Sequence, residues 1–264
     1  MHDLPLNQAV GLMGLAAPAA PQLLAVVAHG DPRTQQRLLW QLSSALTELG
    51  YGVTVLDTTQ AESANNPGLQ QLLDYDFGPG TAEDHGPAWH VLPAAMGMQT
   101  LCGLGNKPAN SLQRLGQVLY TNGVILLYAS VENLVTLLSG SDIRPLLSVP
   151  CDKRSLLSSY LALKRLLRTA RLEPTILNMI EDTQIGESSE AAGIARALSE
   201  CARNFLAYEV NAIHIDPSKT EQQLSAPMRH LASRLLEKAL ALRGPMTTDS
   251  HFQVPGYREA RRSH

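Results

Sequence analysis

The sequence predicts a doubly wound α/β domain, a mainly parallel β-sheet covered by helices on both faces. Three observations carry that expectation. Short continuous apolar runs recur along the chain, as in strands buried on both faces of a parallel sheet. Between these runs the apolar positions switch to helical spacing, and alternating β and α segments fold as βαβ units. Finally, 264 residues with 44% hydrophobic and 17% charged side chains suffice for one large core.

The elements follow in order. After a Pro/Ala linker over residues 16–21, the run Leu23-Leu-Ala-Val-Val-Ala28 is the first strand. A loop, HGDPRT, leads into a helix over residues 35–49, with Leu38, Leu39, Leu42, Ala45 and Leu46 on one stripe and Gly50 as its stop. Residues 53–56 are the second strand, ending at Asp57. Residues 58–87, rich in Asn, Gly, Pro and acids, read as surface loop with one helical piece at 69–73. Then come a strand at 89–92, a helix at 111–120, a strand at 124–128, a short helix at 133–138 and a strand at 146–149. The helix predicted over 155–169 opens on the Ser155 hydroxyl as a cap. It ends on Lys164, Arg165 and Arg168, where the helix dipole favours cations. A strand at 174–180, a helix at 189–205, a strand at 208–215 and a last helix at 226–242 complete the domain. It is expected to span residues 22–243, between a leader (1–21) and a tail (244–264).

Composition excludes several classes. Apolar content is ordinary and the net charge is only -3, which removes disorder for most of the chain and any basic field for holding nucleic acid. Cys102, Cys151 and Cys201 lie about fifty residues apart with no CxxC, so neither a zinc site nor a disulfide framework is suggested, and a reducing cytoplasm is the expected compartment. His29, His85 and His90 have no metal-ligand spacing. The leader lacks the basic start of a signal peptide, and no run approaches the ~18–20 apolar residues of a spanning helix.

In such a fold phosphates bind where the first strand turns into the first helix. That turn is AHGDPRTQQ, with a single glycine, an acid at Asp31 that repels phosphate, and Pro32, which has no N–H to give. Arg33 and Thr34 remain, without a glycine cradle.

Four segments resemble the MinD/ParA family of deviant P-loop ATPases, and within it the flagellar-number regulators called FlhG, FleN or YlxH. The leader LNQAVGLMGL (residues 6–15) is similar to that family's DQAxxLRxL leader. Residues 23–57 follow the strand, phosphate loop, helix and second strand of its ATP-binding opening. WHVLPAAMGMQTL (89–101) resembles its VLPAASG segment, and residues 155–206 resemble its Ser-Leu-x-x-Ala-Tyr-x-x-Ile-Lys helix, Val-x-Asn-Met strand and following helix. Together they cover almost the whole chain.

The departures are as informative. AHGDPRTQQ stands where the family has GGKGGVGKS. Tyr128-Ala129-Ser130 stands where it has an Asp-containing switch, and of its LDAD acids only Asp57 is kept, followed by Thr58 and Thr59. Phosphoryl transfer depends on those positioned charges. The resemblance with these losses implies a non-hydrolysing adaptor without a cofactor, working through protein partners as a monomer or a nucleotide-independent dimer. The alternatives are a divergent ATPase or a polarity factor for cellulose secretion or pili. In the ATPase alternative ATP and magnesium are held by Arg33 and Thr34 at the phosphates, Asp57 at the metal and Asn178 at the adenine edge. Asp57 and Asn178 also have a plain reading, as residues that satisfy nearby backbone groups.

By resemblance, Asn7, Gln8, Ala9, Leu12 and Leu15 contact a signal-recognition-particle-type flagellar GTPase. Leu6, Val10 and Met13 fall on one stripe of that leader, and folding back onto its own domain is the other reading of it. The last helix, with Leu231, Leu235, Leu236 and Lys238, either attaches peripherally to the inner membrane, as the family's C-terminal helix does, or covers one face of the sheet.

Overall fold

In the computed structural model the described residues are 20–75, 89–103, 105–119, 123–149, 153–179, 190–210, 212–216 and 219–242. The leader candidates Asn7, Gln8, Ala9, Leu12 and Leu15 lie outside them, as do His85 and the tail. The apolar runs form one sheet: β1 (Gln22–Val27), β2 (Gly52–Asp57), β3 (Trp89–Pro93), β4 (Gly123–Ala129), β5 (Leu146–Val149), β6 (Thr175–Met179) and β7 (Ala212–Ile215), ordered β3-β2-β4-β1-β5-β6-β7. All of these pairings are parallel. A two-residue strand β8 (Leu240–Ala241) adds antiparallel to the start of β1, with Gln22 opposite Ala241.

Strand alternation divides the core between the two faces. Leu23, Ala25 and Val27 of β1 and Ile125 and Leu127 of β4 point to one face, and Leu24 and Val26 with Val124, Leu126 and Tyr128 to the other. The second face is covered by α1 (Pro32–Glu48) through Leu38, Leu42 and Leu46, and by α8 (Glu221–Leu236) through Leu224, Met228, Leu231 and Leu235. The first face carries α2 (Leu69–Asp74), α3 (Ala95–Leu101), α4 (Pro108–Val118), α5 (Val131–Leu138), α6 (Lys153–Arg165) and α7 (Glu190–Leu206). No helix among the described residues is long and apolar enough to cross a membrane. Gly50, at φ 91°, ends α1 as its position predicts.

Four expectations need correction. The last helix stops at Leu236, not at residue 242: Glu237 caps it, the chain turns through Lys238 and Ala239, and β8 follows. Leu242 therefore packs on the opposite face of the sheet from Leu231. The strand expected at 208–215 is confined to Ala212–Ile215 among the described residues, because Ala207 turns the chain with φ 52° and residues 208–210 lie along the edge of the core. The helix expected to open at Ser155 begins two residues earlier, at Lys153. That helix widens into a π-turn over Leu166–Ala170 before Arg171 ends it at φ 56°. Finally, Pro32, Arg33 and Thr34 are not loop but the first turn of α1, with Pro32 at its first position.

Candidate functional site

The carboxyl ends of β1, β2, β4, β5 and β6 gather the chemistry-bearing residues on one edge of the sheet. Between β1 and α1 the connection is only Ala28-His29-Gly30-Asp31, with Gly30 at φ 80° making the bend. Asp31 is the N-cap of α1. Its Oδ2 accepts the Thr34 N–H and the Thr34 hydroxyl, both at 2.9 Å, and its carbonyl accepts the Gln35 N–H. The Thr34 N–H first, and then its hydroxyl, hold the Asp31 carboxyl below its ordinary value. Two further bonds tie the turn to β5. His29 Nε2 donates to the Ser148 carbonyl and Gln35 Nε2 to Ser148 Oγ, each at 2.6 Å. Burial pushes the His29 imidazole below its usual value against the pull of that carbonyl. Arg33 is exposed.

Asp57, at the end of β2, is buried and bonded on both oxygens. Oδ1 accepts from the Thr59 N–H (2.9 Å) and hydroxyl (2.6 Å), and Oδ2 from Gln60 Nε2 (2.7 Å). Thr58 returns to the Tyr128 carbonyl through both its N–H and its hydroxyl. Burial first, and then the Asp57 charge beside it, raise the Tyr128 hydroxyl. Ser130, one residue past β4, caps α5 by accepting the Asn133 N–H.

Asn178 lies in β6 opposite His214 of β7, 4% exposed, and its Oδ1 is buried without a hydrogen-bond partner. It borders an open cleft of about 630 Å³ between α7 and β7, with Arg196, Ser199, Glu209 and His214 on its walls.

The same edge holds a knot that sequence reasoning missed. The buried Glu62 carboxylate accepts the N–H groups of Gln70 (3.2 Å), Met96 (2.7 Å) and Gly97 (2.8 Å), so it caps α2 and α3 together. Gly68 and Ala94, which precede those helices, supply no side-chain cap. Gly68 is needed for close approach, because a Cβ there would strike the Pro93 carbonyl oxygen.

No family model matches the sequence, and no curated protein matches it. Solved structures do match. Cobyrinic acid a,c-diamide synthase from Mycobacterium smegmatis, with bound ADP and magnesium, superposes with a TM-score of 0.55 at 13% identity, over 84% of this chain and 99% of that one. The ATP complex of a McdA variant from Cyanothece gives 0.51 at 13% identity, over 83% and 94%. A plasmid partition protein from Borrelia burgdorferi gives 0.51 at 11% identity, over 81% and 99%. The fold is the MinD/ParA-type P-loop fold of these structures.

On this MinD/ParA fold the structure brings Arg33, Thr34, Asp57 and Asn178 to one edge of the sheet, where the sequence placed them. It buries Leu231 and Leu235, at 0% and 4% exposure, in the core of the domain's second face, with Leu236 packed against that core. Lys238 lies in the turn after α8. Of the residues that were missed, Gln35 had one signal: it stands on the stripe of Leu39, Leu42 and Leu46, a polar residue at a core position of a helix. Ser148 and Glu62 had none.

Proposed function

We propose that this chain is a regulator on the MinD/ParA fold that neither binds nor hydrolyses nucleotide and acts by binding protein, in bacterial flagellar assembly or placement. One observation carries the reading: the turn between β1 and α1 is closed on itself. A phosphate at a helix N-terminus needs free backbone N–H groups. Here the Thr34 N–H is taken by Asp31, the Gln35 N–H by the Asp31 carbonyl, and Pro32 has none. The Asp31 carboxylate stands where the phosphate charge would, and the bonds of His29 and Gln35 to Ser148 leave the short turn no slack. Asp57, which would hold magnesium, already accepts three hydrogen bonds. A domain without a nucleotide-driven dimer is expected as a monomer or a nucleotide-independent dimer.

Isothermal titration with ATP and ADP in the presence of magnesium tests this. Silence at about millimolar nucleotide is expected, since binding weaker than that is worth less than about 4 kcal/mol. A saturable micromolar isotherm would sink the reading. The divergent ATPase has one observation in its favour, the unpartnered Asn178 Oδ1 beside an open cleft. Turnover abolished by Asp57→Ala would establish it instead.

The flagellar part rests on the leader's likeness to FlhG, FleN and YlxH, in which this segment engages a signal-recognition-particle-type GTPase. Purified GTPase of that class titrated into this protein should bind, and Leu12→Asp should abolish binding. Equal affinity for Leu12→Asp would remove the leader from that role.

A further inference from the structure

We infer that the outer face of α6, continued by the end of α7, is a contact surface for an anionic lipid bilayer. This goes beyond the function proposed above and does not rest on it.

α6 and its π-turn direct Ser159, Ala162, Leu163 and Leu166 into the core, as a helix covering a sheet must. The opposite face of such a helix is expected to be polar, and here it is not. Leu157 and Leu161, one turn apart, stay 64% and 53% exposed, and exposed Lys164 follows three residues on, where it shares their face. α6 packs against α7. Beyond the π-turn the exposed Arg168 donates to the Phe205 carbonyl at 3.1 Å and so joins the end of α7, where Phe205 is 67% exposed and Arg203 is exposed two residues before it. Three large apolar side chains therefore stand in water among cations on two packed helices. Apolar exposure grouped in this way marks a contact site.

Charge names the occupant. The chain carries a net charge of -3, yet residues 156–172 hold Lys164, Arg165, Arg168 and Arg171 and no acid. Arg165 is paired with Glu132 of α5, while Lys164 and Arg171 pair with no acid among the described residues. On α7 the charge of Glu200 is offset by Arg203 one turn on, so the surplus stays positive. Cations beside projecting leucines and a phenylalanine suit the headgroup boundary of an anionic bilayer. The apolar tips enter the acyl region, and the long Lys and Arg stems keep their charges at the phosphates. Leu157 and Leu161 project from a helix and do not line a groove, which favours a soft planar surface over the ridge of another protein. The last helix offers no such face, because Leu231 and Leu235 lie in the core. α6 needs no rearrangement to present one.

The test is sedimentation of the full-length protein with vesicles of phosphatidylcholine alone, or with about one-third phosphatidylglycerol, at low salt. The chain should bind the mixed vesicles and not the neutral ones, and about 0.5 M salt should release it by screening. Leu157→Gln/Leu161→Gln should weaken binding about tenfold, because both leucines give up the burial that the acyl boundary supplies. Lys164→Gln/Arg171→Gln should weaken it about 25-fold, at about fivefold for each cation held near an anionic surface. All four residues are exposed, so the circular dichroism and melting temperature of both variants should match those of the wild type. Lys238→Gln, in the turn beyond α8, should bind as the wild type does. Failure of the wild type to sediment with the anionic vesicles would overturn the assignment and leave the surface to an acidic protein. So would equal binding by the wild type and both double variants, or a loss confined to Lys238→Gln, because the contact would then lie elsewhere on the chain. Nucleotide calorimetry reads the proposed function independently, so failure of either reading leaves the other standing.

Discussion

Replacing Glu62 with alanine lowers the stability of the domain by about 3–5 kcal/mol, because each of three backbone N–H groups left without its acceptor costs about 1–3 kcal/mol in a buried setting. The carboxylate is 6% exposed and serves Gln70, Met96 and Gly97 at once, and neither Gly68 nor Ala94, the N-cap residues of α2 and α3, supplies a side-chain cap. For a domain of this size the loss lowers the melting temperature by about 10 °C. Urea denaturation checks it, and a loss below about 1 kcal/mol would mean that other groups cap both helices. The acid limb of stability gives a second readout. Burial pushes the Glu62 carboxyl up, but the N–H bonds, led by that of Gly97, outweigh burial and hold it below the ordinary glutamate value of 4.5. A carboxyl with a depressed folded pKa contributes stability that is present above its unfolded pKa and lost as pH falls through the folded one. Below pH 4.5 wild type should therefore lose stability faster than Glu62→Gln, and parallel acid limbs would count against the knot.

Leu231→Ala lowers stability by about 2–5 kcal/mol, the usual cost of emptying a core leucine site. Leu231 is fully buried in the face that α1 and α8 share, in one core cluster with Leu235, Met228 and the β1 side chain Val26. Lys238→Gln, in the turn beyond α8, should leave the unfolding midpoint unchanged. This pair separates the two readings of the last helix. A helix that attaches to lipid must turn Leu231 and Leu235 outward, and then Leu231→Ala would weaken binding to anionic vesicles while leaving the melting temperature alone. That outcome would overturn the packing described above.

Much of the architecture was legible in the sequence. A strand buried on both faces must be apolar at every position, and a helix covering it must repeat its apolar positions at its own period, so β1, β2, β4 and α1 announce themselves as 23–28, 53–56, 124–128 and 35–49. The ends were less visible. The start of α1 is one of these: Asp31 and Pro32 suit a loop as well as a helix start, and only the fold makes them an N-cap followed by proline at the first helical position. The end of α8 carries no glycine or proline, and β8 has two residues, too short for any period to show.

At the candidate site the sequence by itself determined which residues stand near the strand ends: Arg33, Thr34, Asp57 and Asn178 are where their positions in the chain put them. Only the tertiary structure decided what those residues do with their hydrogen-bonding groups. Asp31 closes on Thr34, which is local, but His29 and Gln35 reach Ser148 more than a hundred residues away, and Glu62 reaches Met96 and Gly97 across 34 and 35 residues. Burial follows a local period and so leaves a trace in the sequence. The pairing of one buried donor with one distant acceptor depends on strand order and register, and these exist only once the sheet has formed.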